Sequence, residues 1–117
     1  MRPADVILLN AREVRRRSEI AWRGIPADSL QWKPDPAARS AIEMVRHVLE
    51  GEYLYMQMAK ERRSVSEDRS PFAGRPFVSV DDELAFAVPF RNRPVTLRIG
   101  DKLLAAFCIG PCGLQNR

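Results

Sequence analysis

His47 is the only histidine in the chain, and the residues around it are the ones that could do chemistry. An imidazole can ligate a metal, move a proton, or fill a core position once it has found a hydrogen bond. Glu43 and Glu50 lie one turn to either side, spacings that make them neighbours of His47 on a helix. Glu52 follows within an apolar run. These carboxylates could form a cluster, but salt bridges from Glu43 and Glu50 to Arg46 and Arg39 would use them as well, and Glu52 could pair with an arginine of another helix. Tyr53 and Tyr55 could act as acids or sit in a core with a wet hydroxyl. Gly51 costs a helix about 1 kcal/mol against alanine, which implies that a neighbouring helix or a ligand passes close to it. A metal site normally needs three or four donors. Taken alone, His47 is therefore either a core histidine or one ligand of a larger site.

Other chemistries find less support. Cys108 and Cys112 flank Gly110-Pro111, lack the second pair of a zinc knuckle, and read as free thiols. No glycine-rich phosphate loop, Ser-His-Asp order or Cys-His nucleophile pattern is present.

The elements that must position these residues read as helices. The first is expected from about Val6 to Arg23, capped by Asp5 and ended by Gly24. Its inner stripe would be Ile7, Ala11, Val14, Ser18 and Ala21, with the arginines mostly on the other side. A proline-rich connection follows, with a short helical turn from Pro26 to Leu30 and with Leu30 and Trp32 as apolar anchors. Ser40 and Glu43 form a capping box. The helix it opens should reach about Arg62, with Glu43, Arg46, Glu50 and Gln57 on a narrow polar strip. A helix so apolar around the rest of its circumference belongs at the centre of a bundle or in a dimer interface.

Residues 64–78 read as a mobile loop. Ser79 and Asp82 then signal a third helix with Leu84, Ala87 and Val88 inward, kinked or ended by Pro89 near Phe90. Beyond Pro94, Val95–Ile99 alternates like a short strand. Asp101 could cap a short helix from Lys102 to Cys108, and Gly110–Arg117 is expected to be disordered.

With 117 residues, 45% apolar and 29% charged, the composition is that of one soluble globular domain. No apolar run is long enough to cross a bilayer, and Val6–Leu9 is too short for a signal-peptide core, so a cytoplasmic protein with no membrane partner is expected. The net charge is +4, and sixteen of the nineteen basic residues are arginine. Arg12, Arg15, Arg16 and Arg17 form the densest cluster. Acidic residues are interspersed and no aromatic residues interleave, so a solvated helix face is the expectation and nucleic acid is not an expected partner.

Gly24-Ile25-Pro26, Leu30-Gln31-Trp32-Lys33-Pro34 and Arg39 to Tyr53, in that order, make residues 5–93 resemble the DinB-like family. Those proteins share a Leu-x-Trp-x-Pro loop, a serine opening helix two, and a histidine one to two turns inside it. The resemblance implies an all-α, up-and-down four-helix bundle that often dimerises. It also implies a divalent metal, nickel or zinc, held by three histidines. His47 matches the one in helix two, while the other two form a His-x-x-x-His pair on the last helix. The implied chemistry is thiol transfer or hydrolysis, with a small-molecule thiol or an electrophile as substrate.

The chain lacks the His-x-x-x-His pair, and residues 94–117 match nothing in the family pattern. The expectation is thus a bundle domain over 1–93, a divergent or truncated segment over 94–117, a short or missing fourth helix, and a deficient metal site. The alternative is a non-catalytic helical dimerisation or interaction module.

Overall fold

The computed structural model describes residues 2–91, 95–99 and 102–107. The first helix, α1 (Pro3–Arg23), starts earlier than the sequence suggests. Arg2 rather than Asp5 is its cap residue. The Asp5 carboxylate accepts from the Arg2 backbone N–H at 2.9 Å, and proline at the first position gives up only an N–H that would have no helical partner. After it, Ala27–Ser29 makes one tight 3-10 turn, as Pro26 predicts. Helix α2 (Ala41–Glu61) opens on the expected capping box: the Glu43 N–H donates to Ser40 Oγ at 3.3 Å, and the Ser40 N–H donates to Glu43 Oε2 at 2.7 Å. It closes at Arg62 in the left-handed conformation, φ 55°. Helix α3 (Val80–Arg91) begins where Ser79 Oγ accepts from the Asp82 N–H at 3.0 Å. Pro89 falls in its last turn and does not end it before Arg91.

The fold is helical, with no fourth helix among the described residues. After α3 come two strands, β1 (Val95–Ile99) and β2 (Lys102–Phe107), paired antiparallel with Val95 opposite Phe107. The strand expected at 95–99 is present. The helix expected from Lys102 is replaced by β2, whose backbone hydrogen bonds are satisfied by pairing with β1. β1 lies against α2 and β2 against α1. Cys108, Cys112 and the stretch 110–117 fall outside the described residues.

Arg46 meets Glu83 and, seven residues further along each helix, Tyr53 meets Phe90. Helices α2 and α3 therefore run in the same direction, where a simple up-and-down order would reverse them, and the connection 62–79 carries the chain back between them. The core is formed by Leu30, Ile42, Val45, Leu49, Phe72, Val80, Leu84 and Ala87. Phe72 comes from the connection that reads as mobile in sequence. It is 1% exposed, and its ring meets Phe86 edge-on at 5.0 Å. A short turn at Glu67–Arg69 and the Phe72 N–H donating to Ser70 Oγ at 3.1 Å deliver it there.

Two further expectations are corrected. Trp32 is 68% exposed, leaving Leu30 as the anchor of its loop; the backbone N–H of Ile42 donates to the Leu30 carbonyl and holds that residue against α2. Val88 is exposed while Leu84 and Ala87 are buried, because the inner arc of α3 runs through Val80, Glu83, Leu84 and Ala87.

Candidate functional site

The arginines decide how the helices meet. Arg46, expected on a solvated strip, is buried and reaches Glu83, which is fully buried on α3. Its Nε donates to Glu83 Oε2 at 3.0 Å, Nη2 donates to the Pro76 carbonyl at 3.0 Å, and Nη1 donates to the Arg75 carbonyl. The guanidinium also lies over the Phe77 ring, 3.8 Å from its centroid. A planar donor fork is the one side chain that can serve a carboxylate and two carbonyls together. Burial of the charge is tolerable because it is so fully hydrogen-bonded.

A second polar junction forms around Glu52, which does pair with arginines of other helices. Arg15 of α1 binds Oε1, and Arg91 of α3 approaches Oε2 at 3.6 Å while also reaching Glu19 at 3.4 Å. Burial and the nearby Arg15 charge lower the Arg91 pKa from its ordinary value, and Glu52 and Glu19 oppose that shift. Arg15 is 5% exposed, with its guanidinium 5.2 Å from the Trp22 ring centroid. This junction rotates α1 away from the expected orientation. Arg15 turns inward, and Ile7 and Val14, expected inside, are 67% and 64% exposed. Of the arginine cluster, Arg16 and Arg17 both lean on Glu13, whose carboxyl they hold down at about 2.

His47 is exposed, on the side of α2 away from the core. It opens onto a cleft of about 640 Å³ between α2 and the connection, lined among others by Glu43, Glu50, Leu54, Met58, Val65 and Phe77. The His47 neighbours expected from sequence are thus brought together at one cleft, with Gly51 and Tyr55 beside them. Glu43 is engaged by Lys33 at 3.1 Å, not by Arg46 or Arg39. The Ser40 N–H, and after it Lys33, hold its carboxyl below the usual range. Tyr53 is turned away into the aromatic cluster, 5.3 Å from Phe90. The far wall, formed by Val65, Glu67 and Phe77, falls in the stretch that reads in sequence as a mobile loop.

Three or more metal-ligating side chains do not come together anywhere among the described residues. One imidazole with a paired glutamate and an open apolar wall can bind a small molecule and exchange a proton with it. It does not make a closed coordination sphere. No helix among the described residues is long and apolar enough to cross a membrane. Compared with family models, residues 10–95 match the one described as the DinB superfamily. Comparison with curated proteins and with solved structures gives no match.

Proposed function

Since the chain belongs to the DinB superfamily, we propose that it keeps the scaffold of a metal-dependent thiol transferase or hydrolase with a metal site that is deficient in this chain. The observation that carries the reading is the placement of His47, which faces the cleft and not the core although α2 has ample core surface. A histidine kept for packing would lie with Ile42, Val45 and Leu49. Nickel or zinc would require two or three further donors, and the described residues do not supply them. The described residues alone therefore do not fit a self-contained metal centre. The cleft itself suits a small thiol or electrophile, with an apolar wall for its body and His47 as proton acceptor.

Metal analysis of the purified protein after loading with nickel or zinc, alongside His47→Ala, tests this reading. Weak, substoichiometric metal that declines further in the variant is expected. Tight one-to-one metal lost on substitution would show a complete site and overturn the deficiency. Equal metal in both proteins would remove His47 as a ligand.

A second reading, a helical interaction module, is favoured by a specific observation. Met44, Val48 and Tyr55 are large side chains exposed along one face of α2.

A further inference from the structure

The floor and the charges of the His47 cleft are not accounted for by contacts within the fold. His47, Gly51 and Tyr55 follow one another a turn apart along α2, so the imidazole and the phenol stand about 12 Å apart along the axis with a glycine between them. A Cβ built on Gly51 would meet only the Tyr55 ring, at 4.0 Å. No neighbour among the described residues therefore requires a glycine there, and one in a helix interior is unfavourable. The Tyr55 ring leans back beside Gly51 and is 72% exposed. Leu54, Met58 and Val65 continue the apolar lining. A strip of bare backbone edged by an aromatic face suits a flat body, and about 640 Å³ is an ordinary volume for a small-molecule site.

The charges point to the other end of that molecule. Glu43, Glu50, Glu52 and Glu67 all line the cleft. Glu43 is paired with Lys33, Glu52 with Arg15 and Arg91, and the lining cation Arg46 with Glu83. Glu50 is half-buried beside His47, yet its carboxylate makes no ion pair or hydrogen bond among the described residues. Glu67, on the opposite wall, has no ion pair among them either. Arg39 is the remaining lining arginine; it stands before the cap of α2, about three turns from Glu50. With the internal pairs set aside, the cleft carries an excess of carboxylate in a chain whose net charge is +4.

We infer that this cleft binds an organic cation, its flat, ring-sized body seated on Gly51 against Tyr55 and its ammonium group held by Glu50, with Glu67 facing it. The inference rests on the reading of the cleft as a small-molecule site and holds with or without a metal. Covering a half-buried carboxylate with a ligand strips its water, which is unfavourable unless the ligand replaces it. An ammonium replaces it with both a counter-charge and hydrogen-bond donors. A neutral molecule of the same shape keeps the apolar contacts and loses that replacement, and an anion is repelled. Gly51 thus sets specificity for the body and Glu50 for the charge.

The test follows the His47 imidazole, a single reporter because the chain has no other histidine. Its ring resonances would be recorded by NMR at fixed pH and salt during titration with tryptamine, with tryptophol as the neutral analogue and indole-3-propionate as the anionic one. Tryptamine should shift them saturably in roughly the millimolar range, as a ligand of this size allows. It should bind roughly fivefold tighter than tryptophol, with indole-3-propionate the weakest. Glu50→Gln should bring tryptamine to the tryptophol value and leave tryptophol unchanged. Gly51→Leu should weaken tryptamine and tryptophol alike, about tenfold or more, while its thermal midpoint stays unchanged or rises, separating loss of the seat from loss of the fold. Equal affinity for tryptamine and tryptophol, or a preference that survives Glu50→Gln, overturns the inference and leaves a cleft for uncharged small molecules. Binding by Gly51→Leu as tight as wild type overturns the seat on Gly51, and with it the inference. No saturable shift with any of the three probes overturns the small-molecule reading of the cleft as well.

Discussion

Replacing Glu83 by glutamine tests whether the buried ion pair locks α2 to α3. The substitution keeps shape and hydrogen-bonding capacity and removes one charge. Glu83 has no exposed side-chain surface, and Arg46 has 8%, so the remaining guanidinium would be left uncompensated away from water. Breaking such a pair from one side costs roughly 3–5 kcal/mol. Arg46 would keep the carbonyls of Arg75 and Pro76 and the Phe77 ring, which places the loss near the bottom of that range, about 3 kcal/mol. For a domain of this size that corresponds to a midpoint lower by about 12 °C, at about 4 °C per kcal/mol. Thermal and urea unfolding followed by far-UV circular dichroism would measure it. The double variant Arg46→Met with Glu83→Leu is expected within about 1 kcal/mol of wild type or above it, since apolar replacements of a buried pair are often neutral. A midpoint for Glu83→Gln within a degree or two of wild type refutes the reasoning. So does a double variant as unstable as the single.

Two further outcomes follow from the same structure. Phe72→Ala should cost about 3–5 kcal/mol, the range for emptying a fully buried aromatic site, read as a lower urea midpoint; a loss below 1 kcal/mol would mean that the connection does not anchor the core. Glu43 and Glu13 both have depressed folded-state pKa values, from the Ser40 N–H with Lys33 and from Arg16 with Arg17. Their stabilisation is fully present above the ordinary carboxylate pKa and is lost as pH falls, for Glu13 through about 2. The thermal midpoint should therefore drop below pH 4.5 or so, with a shallower slope in Glu43→Gln, and an unchanged slope would show that the capping carboxylate is not involved.

The parts of this fold that were legible in sequence are those set by local chemistry. Ser40 with Glu43, Ser79 with Asp82 and the turn after Pro26 are short-range hydrogen-bonding patterns, and each element begins close to where they place it. The inward faces were harder to read, because a buried arginine inverts the usual assignment. Periodicity sends Arg15 and Arg46 to solvent, and only the presence of Glu52 and Glu83 on other helices brings them inside. Ile7 and Val14 are then exposed as the geometric complement of Arg15. Trp32 misled in the opposite sense, being large and apolar yet left outside once Leu30 had filled the available space. His47 was legible as a candidate, whereas the cleft it faces was not, because Val65 and Phe77 arrive from a connection whose path no local pattern dictates.

The connection between α2 and α3 has two halves with different freedom to change over evolutionary time. Residues 62–69 are mostly exposed, and lengthening such a segment costs only about 0.6 kcal/mol per doubling of the loop. From Ser70 to Phe77 the chain has no such latitude, since Phe72 is seated in the core while the carbonyls of Arg75 and Pro76 are held by Arg46. One inserted residue there would unseat either the ring or the carbonyls. Length variation among relatives, circular permutation sites and tolerated fusions should therefore concentrate before Ser70, and the segment after it should hold its length as strictly as a helix.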